Sequence, residues 1–273
     1  MFLADYHTHS KFSFDAERPA TIEAMCEAAI TMGLNEIAIT DHYECDAMPD
    51  GFYEMPDLDG RQTAIAAAKK KYEGKLALCY GIELGQPTSE AVETERILSK
   101  YSFDFVIGSL HTVKGIRDIC YINYEYYSDK QIVMLWEQYL AELLKHIKDG
   151  KFDTLAHITY PYRYIVKNGR GNVVNLDDYK DEFAAIIRAA IERGIALECN
   201  TSGLRQTLAE PMPNFKLMQL YKSLGGQLIT VGSDAHYLEH IGSHIKETVS
   251  TLADIGFKYL TVFRNRRPTM IKI

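Results

Sequence analysis

The chain has 273 residues, of which 47% are hydrophobic and 25% are charged, and its formal net charge is -7. These values are ordinary for a soluble globular protein and allow one α/β barrel or two small domains. The acidic balance argues against a nucleic-acid partner, and the two densest basic runs, residues 69–71 and 264–267, are interpreted as solvated faces.

The cysteine pattern predicts a reducing, cytoplasmic location. Cysteines number five and include no C-x-x-C pair, so a disulfide framework is not expected. No apolar run approaches the ~20 residues that a membrane span requires. The first residues carry no basic segment ahead of an apolar one, so a signal peptide is not expected either.

Short apolar runs alternate along the chain with longer segments of helical periodicity. The predicted strands are residues 2–6, 36–40, 76–82, 105–109, 154–157, 196–199 and 227–231, and a late run at 259–263 adds a further strand or an edge. The predicted helices are residues 21–32, 61–72, 90–100, 129–148, 176–193, 214–224 and 239–255.

Seven successive β-then-α units predict a parallel sheet, because a crossover between parallel strands needs a helix. A closed barrel gathers functional groups at the carboxyl ends of all its strands, whereas an open doubly wound sheet concentrates them at one switch point. Polar side chains end almost every predicted strand, which favours the closed barrel. We expect one domain over residues 1–273, with long connections at 43–59, 112–128 and 160–175 around the mouth.

Metal-seeking side chains end these strands. Six of the nine histidines lie at predicted strand ends. His7 and His9 are two residues apart and therefore share one face of a strand, and the same spacing relates Asp234 to His236. The full set of candidate ligands is His7, His9, Asp15, His42, Glu83, His111, His157, Asp234 and His236.

Each of these residues alone has a structural explanation, such as a hydrogen-bonded core histidine or a salt bridge at Glu83. Their common placement favours a polynuclear centre, in which Glu83 bridges two cations and about three ligands serve each of three ions. Mixed imidazole and carboxylate donors suit zinc, manganese or iron. Asp5 and Asp41 are interpreted as residues that orient the ligands.

The three remaining histidines are not expected to be ligands. His146 is interpreted as a surface residue in a lysine-rich helix end. His240 and His244 are four residues apart, but the glutamate of the H-E-x-x-H motif is missing.

The runs at residues 7–9, 15, 40–42, 81–83, 109–111, 157 and 233–236 resemble, in order, the motifs of the PHP (polymerase and histidinol phosphatase) superfamily. The length and layout are similar to its free-standing histidinol-phosphatase branch. This resemblance implies a distorted, TIM-like (β/α)7 barrel with three divalent metal ions. It also implies an order of ligands: His7, His9, Glu83 and Asp234 for the first ion, Glu83, His111 and His157 for the second, and Asp15, His42 and His236 for the third.

The resemblance implies a phosphoric monoester hydrolase, specifically the histidinol-phosphate phosphatase of histidine biosynthesis. A metal-activated hydroxide would attack phosphorus, with Glu83 as the bridging residue and Asp234 or His236 passing a proton to the leaving alkoxide. Arg163 and Arg205 follow strand ends and are expected to bind the substrate phosphate.

Other readings stay open. Acidic residues of the first long connection, Asp46, Asp50 and Glu54, either complement a cationic substrate or form a solvated loop. The alternatives to histidinol phosphate are another small phosphomonoester or a phosphodiester, and the alternative of another class is a metal-binding module without turnover. An amidohydrolase-like barrel would use a carboxylated lysine as its bridge, but no strand-end lysine competes with Glu83.

Overall fold

The computed structural model describes residues 1–46, 53–116 and 118–273. Its strands are β1 (Ala4–Asp5), β2 (Glu36–Ile39), β3 (His42–Glu44), β4 (Ala77–Gly85), β5 (Phe105–Ser109), β6 (Thr154–Leu155), β7 (Ala196–Asn200), β8 (Ile229–Gly232), β9 (Tyr259–Arg264) and β10 (Arg267–Lys272). Its α-helices are α1 (Ile22–Thr31), α2 (Leu58–Lys71), α3 (Ala91–Lys100), α4 (Asp129–Asp149), α5 (Tyr160–Lys167), α6 (Lys180–Glu192), α7 (Phe215–Ser223) and α8 (Ile245–Ile255). None of these helices combines the length and apolar character that a membrane crossing requires.

The strands form a closed parallel barrel in the order β1-β2-β4-β5-β6-β7-β8, and β3 continues the position of β2 along β4. Backbone hydrogen bonds join the first and last strands: Tyr6 donates to Val231 (2.9 Å), Asp234 donates to His7 (2.7 Å) and His9 donates to Ala235 (2.8 Å). The predicted closed barrel is confirmed, and the open doubly wound sheet is wrong.

Gly232 lets this seam close. A Cβ at Gly232 would lie 2.3 Å from the Cβ of His7 and 2.9 Å from a carboxylate oxygen of Glu198. Such contacts are far shorter than packed side chains allow, so only glycine fits between the last strand and the first.

The helices cover the barrel with apolar faces. In α4, Ser128 and Gln131 form a capping box, and the buried face carries Trp136, which is fully buried. His146 lies on this same face, 1% exposed, where it stacks on Phe152. The interpretation of His146 as a surface residue is therefore wrong, because its spacing from the apolar residues of α4 outweighs its lysine neighbours.

One predicted loop is helical. Residues 160–167 lie in the third long connection but form α5, in which Pro161 occupies the first turn. Proline is favoured there because its fixed φ suits the helix and its missing N–H would have no partner in that turn. The helix turns Arg163 towards the barrel mouth, where the side chain lines a pocket.

The late run at 259–263 forms an antiparallel hairpin, β9–β10, that closes the amino-terminal end of the barrel. Phe263 is 2% exposed, and its ring lies 4.9 Å from that of Phe105 at the start of β5. The backbone N–H of Phe263 donates to the hydroxyl of Tyr6 at 3.0 Å. The barrel floor is therefore an apolar layer beneath the strands.

Basic residues fix the floor to the barrel. Arg264 makes two contacts with Glu36, at 2.6 and 2.7 Å, and Arg266 contacts Asp153 at 3.0 Å. Lys69 contacts Asp104 at 2.7 Å. The side chains of Lys69, Arg264 and Arg266 are 41%, 45% and 32% exposed, so the interpretation of both basic runs as solvated faces stands. Each of the three also pairs with an acid at or just before the start of a strand.

We predict that Phe263→Ala lowers the free energy of unfolding by about 3–5 kcal/mol, because it leaves a cavity in the floor. Denaturant unfolding measures this change, with Met270→Ala on the exposed side of β10 as the control, for which we expect a change within about 0.5 kcal/mol. If the two variants lose the same free energy of unfolding, Phe263 does not contribute specifically to the packing of the floor.

Candidate metal centre

All nine candidate ligands lie at the carboxyl-terminal mouth of the barrel, linked by contacts between their side chains. His7 and His9 directly follow β1, His42 opens β3, and Glu83 lies in β4. The others come from the segments after β5, β6 and β8, and Asp15 comes from the loop after His9. Parallel strands end at the same edge of the barrel, which explains why residues so distant in sequence meet.

Glu83 lies at the centre of the cluster and is fully buried. Five imidazoles surround its two oxygens, namely His42 Nδ1 at 2.9 Å, His7 Nε2 at 3.1 Å, His157 Nε2 at 3.3 Å, His111 Nε2 at 3.4 Å and His9 Nε2 at 3.5 Å. The histidines divide between the oxygens: His111 and His157 face Oε1, and the other three face Oε2. A carboxylate in this position can bridge two cations.

Two further carboxylates flank Glu83. Asp234 Oδ1 lies 3.4 Å from His9 Nε2, 3.6 Å from His236 Nδ1 and 3.8 Å from His7 Nε2. Asp15 Oδ2 lies 3.0 Å from His236 Nε2. His42 Nε2 also faces Asp15, at 3.5 Å, so His42 spans the space between Glu83 and Asp15.

The donor set fits divalent cations. Four groups of three side chains hold their donor atoms within 4.8 Å of one another: His9, His42 and His236; His7, Glu83 and His157; His7, His9 and Asp234; and His42, Glu83 and His111. Among the described residues, the buried atoms His7 Nε2, His9 Nε2, His42 Nδ1 and Glu83 Oε2 make no hydrogen bond. Buried polar atoms normally have partners, so this convergence of bare donors indicates a site for cations.

The cluster is electrostatically suited to positive charge. Burial raises the pKa of Glu83, but the imidazoles of His7 and His42 outweigh it and hold the pKa well below its ordinary value. Burial also raises the pKa of Asp234, but the nearby imidazoles of His7 and His9 outweigh burial and hold this pKa well below its ordinary value. Burial and the neighbouring His236 and His42 lower the pKa of His9 to about 3. The carboxylates therefore stay ionised and His9 stays neutral near neutral pH.

Two glutamates that the sequence analysis missed orient ligands. Glu198 Oε1 lies 2.6 Å from His7 Nδ1, and Glu198 Oε2 accepts the backbone N–H of His157 at 3.0 Å. Glu44 Oε1 lies 2.9 Å from His111 Nδ1. The sequence contained evidence for both glutamates. Glu198 is an acid inside the apolar run of β7, and Glu44 follows His42 by two residues on the same strand.

Asp5 and Asp41 lie where an orienting role is possible. Asp5 accepts the backbone N–H groups of Ser233 and Gly242, both at 2.8 Å, and so anchors the segment that carries Asp234. Asp41 is buried against Arg61. Burial raises the pKa of Asp41, but the Arg61 guanidinium outweighs burial and lowers it below the ordinary value.

Two of the candidate ligands have unusual backbones. His157 and Asp234 adopt positive φ values of 24° and 54°. Such values are uncommon outside glycine and are found where surrounding structure enforces them, often at functional sites. At both positions the enforced backbone aims a side chain at the cluster.

A pocket of about 360 Å³ opens above the cluster, and both candidate phosphate arginines line it. Arg163 Nη1 lies 3.7 Å from Asp234 Oδ2, and its guanidinium lies over the ring of Tyr160 at 4.7 Å. Arg205 donates to the carbonyl oxygen of Ser233 at 2.8 Å. Arg163 Nε and Arg205 Nη1 are buried without a hydrogen-bond partner in the described chain, so neither guanidinium uses all of its donors there.

The pocket also contains an acid that the sequence analysis did not select. Asp118 accepts hydrogen bonds from the hydroxyls of Tyr53 at 2.7 Å and Tyr160 at 3.3 Å. Of the acids proposed for a cationic substrate, Asp46 is hydrogen-bonded to Gln86, Glu54 is exposed, and Asp50 lies outside the described residues.

His240 lines the outer pocket, and His244 precedes α8 with a φ of 59°. Neither belongs to a metal-binding group within the part of the chain that the structure describes.

Comparison with known proteins places this geometry in a family. The PHP domain matches residues 5–202. The probable histidinol-phosphatase of Thermotoga maritima is 30% identical over 95% of each chain, and that of Clostridium acetobutylicum is 28% identical over 93% of this chain and 94% of the relative.

The crystal structure of histidinol phosphate phosphatase from Lactococcus lactis, complexed with zinc, L-histidinol and phosphate, has a TM-score of 0.83 at 24% identity and covers 98% of both chains. At this identity the likeness supports the barrel fold. Because the PHP domain covers well over half of the sequence and a 30% identical relative spans nearly all of it, the chain belongs to the PHP domain family.

Proposed function

We propose that this protein is a metal-dependent phosphomonoesterase that hydrolyses L-histidinol phosphate to L-histidinol and phosphate. The observation that supports the proposal is a buried imidazole–carboxylate cluster beneath a pocket that two arginines line. The histidinol-phosphatase names of relatives that span nearly the full chain support this substrate.

The cluster would hold three divalent ions, of zinc, manganese or iron, within one domain that spans residues 1–273. The four overlapping groups of donors support more than one ion. His7, His9 and Asp234 belong to the set predicted for the first ion, and the other three groups combine residues predicted for different ions. When bound, such ions neutralise phosphoryl charge and supply hydroxide at neutral pH. The five free cysteines agree with a location in the reducing cytoplasm.

Arg163 and Arg205 would bind and orient the phosphate. A guanidinium presents paired donors that match two phosphoryl oxygens. Arg163 is held in place because it donates to the hydroxyl of Tyr164 at 2.6 Å and stacks on Tyr160. This arrangement fixes the side chain before substrate arrives, so less conformational entropy is lost on binding.

Asp234 and His236 are our two candidates for moving the proton to the leaving alkoxide. Asp234 Oδ1 faces the cluster while Oδ2 faces Arg163, so the carboxylate lies between the ligands and the phosphate site. His236 lines the pocket and is more exposed than Asp234. The pH–rate profiles of variants at each position that keep their full metal content would distinguish the two.

Asp118 would recognise the cationic end of the substrate. Histidinol phosphate carries an ammonium and an imidazole, which suit an acid set among aromatic side chains. Asp118 lies in the pocket with Tyr53 and Tyr160, and both hydroxyls donate to it. This assignment replaces the acidic loop as the main candidate.

We predict that steady-state kinetics will give a kcat/KM for histidinol phosphate well above that for p-nitrophenyl phosphate. Chelation should abolish both activities, and added zinc or manganese should restore them, because the cations are part of the site. Metal analysis of the same sample checks their number. A metal-loaded protein that hydrolyses no phosphate ester would instead support a binding module, and equal rates on both substrates would reject histidinol phosphate as the specific substrate.

We predict that Arg163→Lys lowers kcat/KM about 10- to 100-fold for both substrates, because one ammonium replaces a two-pronged donor to a charged group. Metal content should be unchanged. Arg188→Lys on the exposed face of α6 is the control and should match the wild type. An unaffected Arg163→Lys enzyme would rule out a phosphate contact that depends on the guanidinium.

We predict that Asp118→Asn lowers kcat/KM about tenfold for histidinol phosphate, because a charge-assisted contact is lost, and changes it little for p-nitrophenyl phosphate, which has no cation. Glu54→Gln makes the same charge change on the exposed loop and serves as the matched control. If Glu54→Gln, rather than Asp118→Asn, alters the ratio of the two substrates, the acidic loop recognises the cation.

A further inference from the structure

We propose that Ser13 is a positioning residue that fixes the tautomer of His9, so that Nε2 of His9 presents a bare lone pair to a cation. The inference rests on the proposed metal-dependent function, because it assigns a task to a residue that contacts a candidate ligand. It starts from a buried polar cluster beside the metal centre: Arg61, Asp41, Ser10 and Ser13.

Arg61 defines the charge state of this cluster. Its side chain is fully buried on α2, where Nε donates to Asp41 Oδ2 at 2.5 Å. Its Nη2 donates to the carbonyl oxygen of Ile39 at 2.6 Å and also to that of Gly81. A buried guanidinium needs an anionic partner, and Asp41 is the carboxylate that contacts it.

Asp41 is an acceptor at every contact. Its Oδ1 accepts the backbone N–H of Ser10 at 2.5 Å and lies 3.0 Å from the hydroxyl of Ser13. Its Oδ2 lies 2.9 Å from the hydroxyl of Ser10. An ionised carboxylate has no proton to donate, so both serine hydroxyls donate to Asp41.

The hydroxyl of Ser13 then has no proton left for its other neighbours. Its oxygen accepts the backbone N–H of His42 at 3.1 Å and lies 3.2 Å from His9 Nδ1. A hydroxyl has one donor and two acceptor sites, and these contacts use all three. Nδ1 of His9 must therefore carry the proton and donate to Ser13.

The opposite nitrogen of His9 is consequently unprotonated. His9 Nε2 is buried without a hydrogen-bond partner in the described chain and lies 3.4 Å from Asp234 Oδ1 and 3.5 Å from Glu83 Oε2. Neutral imidazole binds metal through its lone pair, and the bond made by the other nitrogen decides which nitrogen is available. Ser13 thus selects the form of His9 that can bind a cation.

Ser10 provides a matched control. Both serines donate to the same carboxylate, but Ser10 accepts the backbone N–H of Phe12, whereas Ser13 contacts His9 Nδ1. Ser10→Ala and Ser13→Ala therefore remove the same kind of bond from Asp41. Only Ser13→Ala removes the acceptor of His9 Nδ1.

The test uses the full chain with zinc as the probe. We expect Ser13→Ala to weaken zinc binding about 10- to 100-fold in competition with a chelator, as loss of a contact that orients a ligand does. Ser10→Ala should retain wild-type affinity, and Ser13→Thr, which keeps the hydroxyl, should restore it. Nitrogen-15 NMR of the metal-free wild type should show His9 protonated at Nδ1, with both tautomers populated in Ser13→Ala.

Equal zinc affinities for the two alanine variants, or His9 protonated at Nε2 in the metal-free wild type, would overturn the proposal. The wild-type NMR measurement decides it even if Ser13→Ala does not fold. Failure of the proposed function would look different. A wild type that binds zinc but hydrolyses no phosphate ester would contradict the proposed function and leave the assignment of the His9 tautomer unchanged. A wild type that binds no zinc would overturn both.

Discussion

A fully buried carboxylate at the barrel mouth sets the requirements for the structure around it. Glu83 has no exposure to water, and an ionised group in that position is costly unless positive charge or hydrogen bonds compensate it. Five imidazoles from four segments meet this demand in part. Their own second nitrogens need partners in turn, and Glu198, Glu44 and Ser13 supply three of them. The imidazoles thus compensate the charge of Glu83, and the outer residues satisfy the second nitrogens of the imidazoles.

The two ends of the barrel have different roles: the amino-terminal end contributes apolar packing, and the carboxyl-terminal end holds the candidate site. At the amino-terminal end, Phe263 and Phe105 form an apolar floor, and arginine–acid pairs hold the hairpin to the strands. At the carboxyl-terminal end, polar groups replace apolar ones, and His157 and Asp234 keep strained backbones. Strain and bare donors destabilise a fold. The mouth can tolerate them because the floor and the surrounding helices bury enough apolar surface to compensate.

The sequence was most informative where a candidate ligand lies at the end of a predicted strand. The β-then-α rhythm predicts the closed barrel. The strand-end rule selects eight of the nine residues that the structure brings to one mouth, and Asp15 comes from the loop after His9. The role of all nine as metal ligands stays a prediction. Ser13 gave no signal, because serine is common in loops and its contacts with Asp41 and His9 exist only after folding. Helix α5 was missed because Pro161 reads as a helix breaker unless it is known to occupy the first turn. Hairpin β9–β10 was seen only in part, since its second strand is exposed and lacks an apolar alternation.

The seam between β1 and β8 has a consequence for the order in which the site forms during translation. His7 and His9 emerge from the ribosome among the first residues, whereas Asp234 and His236 follow more than two hundred residues later. Because Asp234 donates a backbone hydrogen bond to His7 and His9 donates one to Ala235, a nascent chain cannot close the barrel before both segments have emerged. His7 and His9 therefore lack their contacts with Asp234 until the last strand docks. The full set of nine candidate ligands consequently assembles only when the two ends of the chain meet.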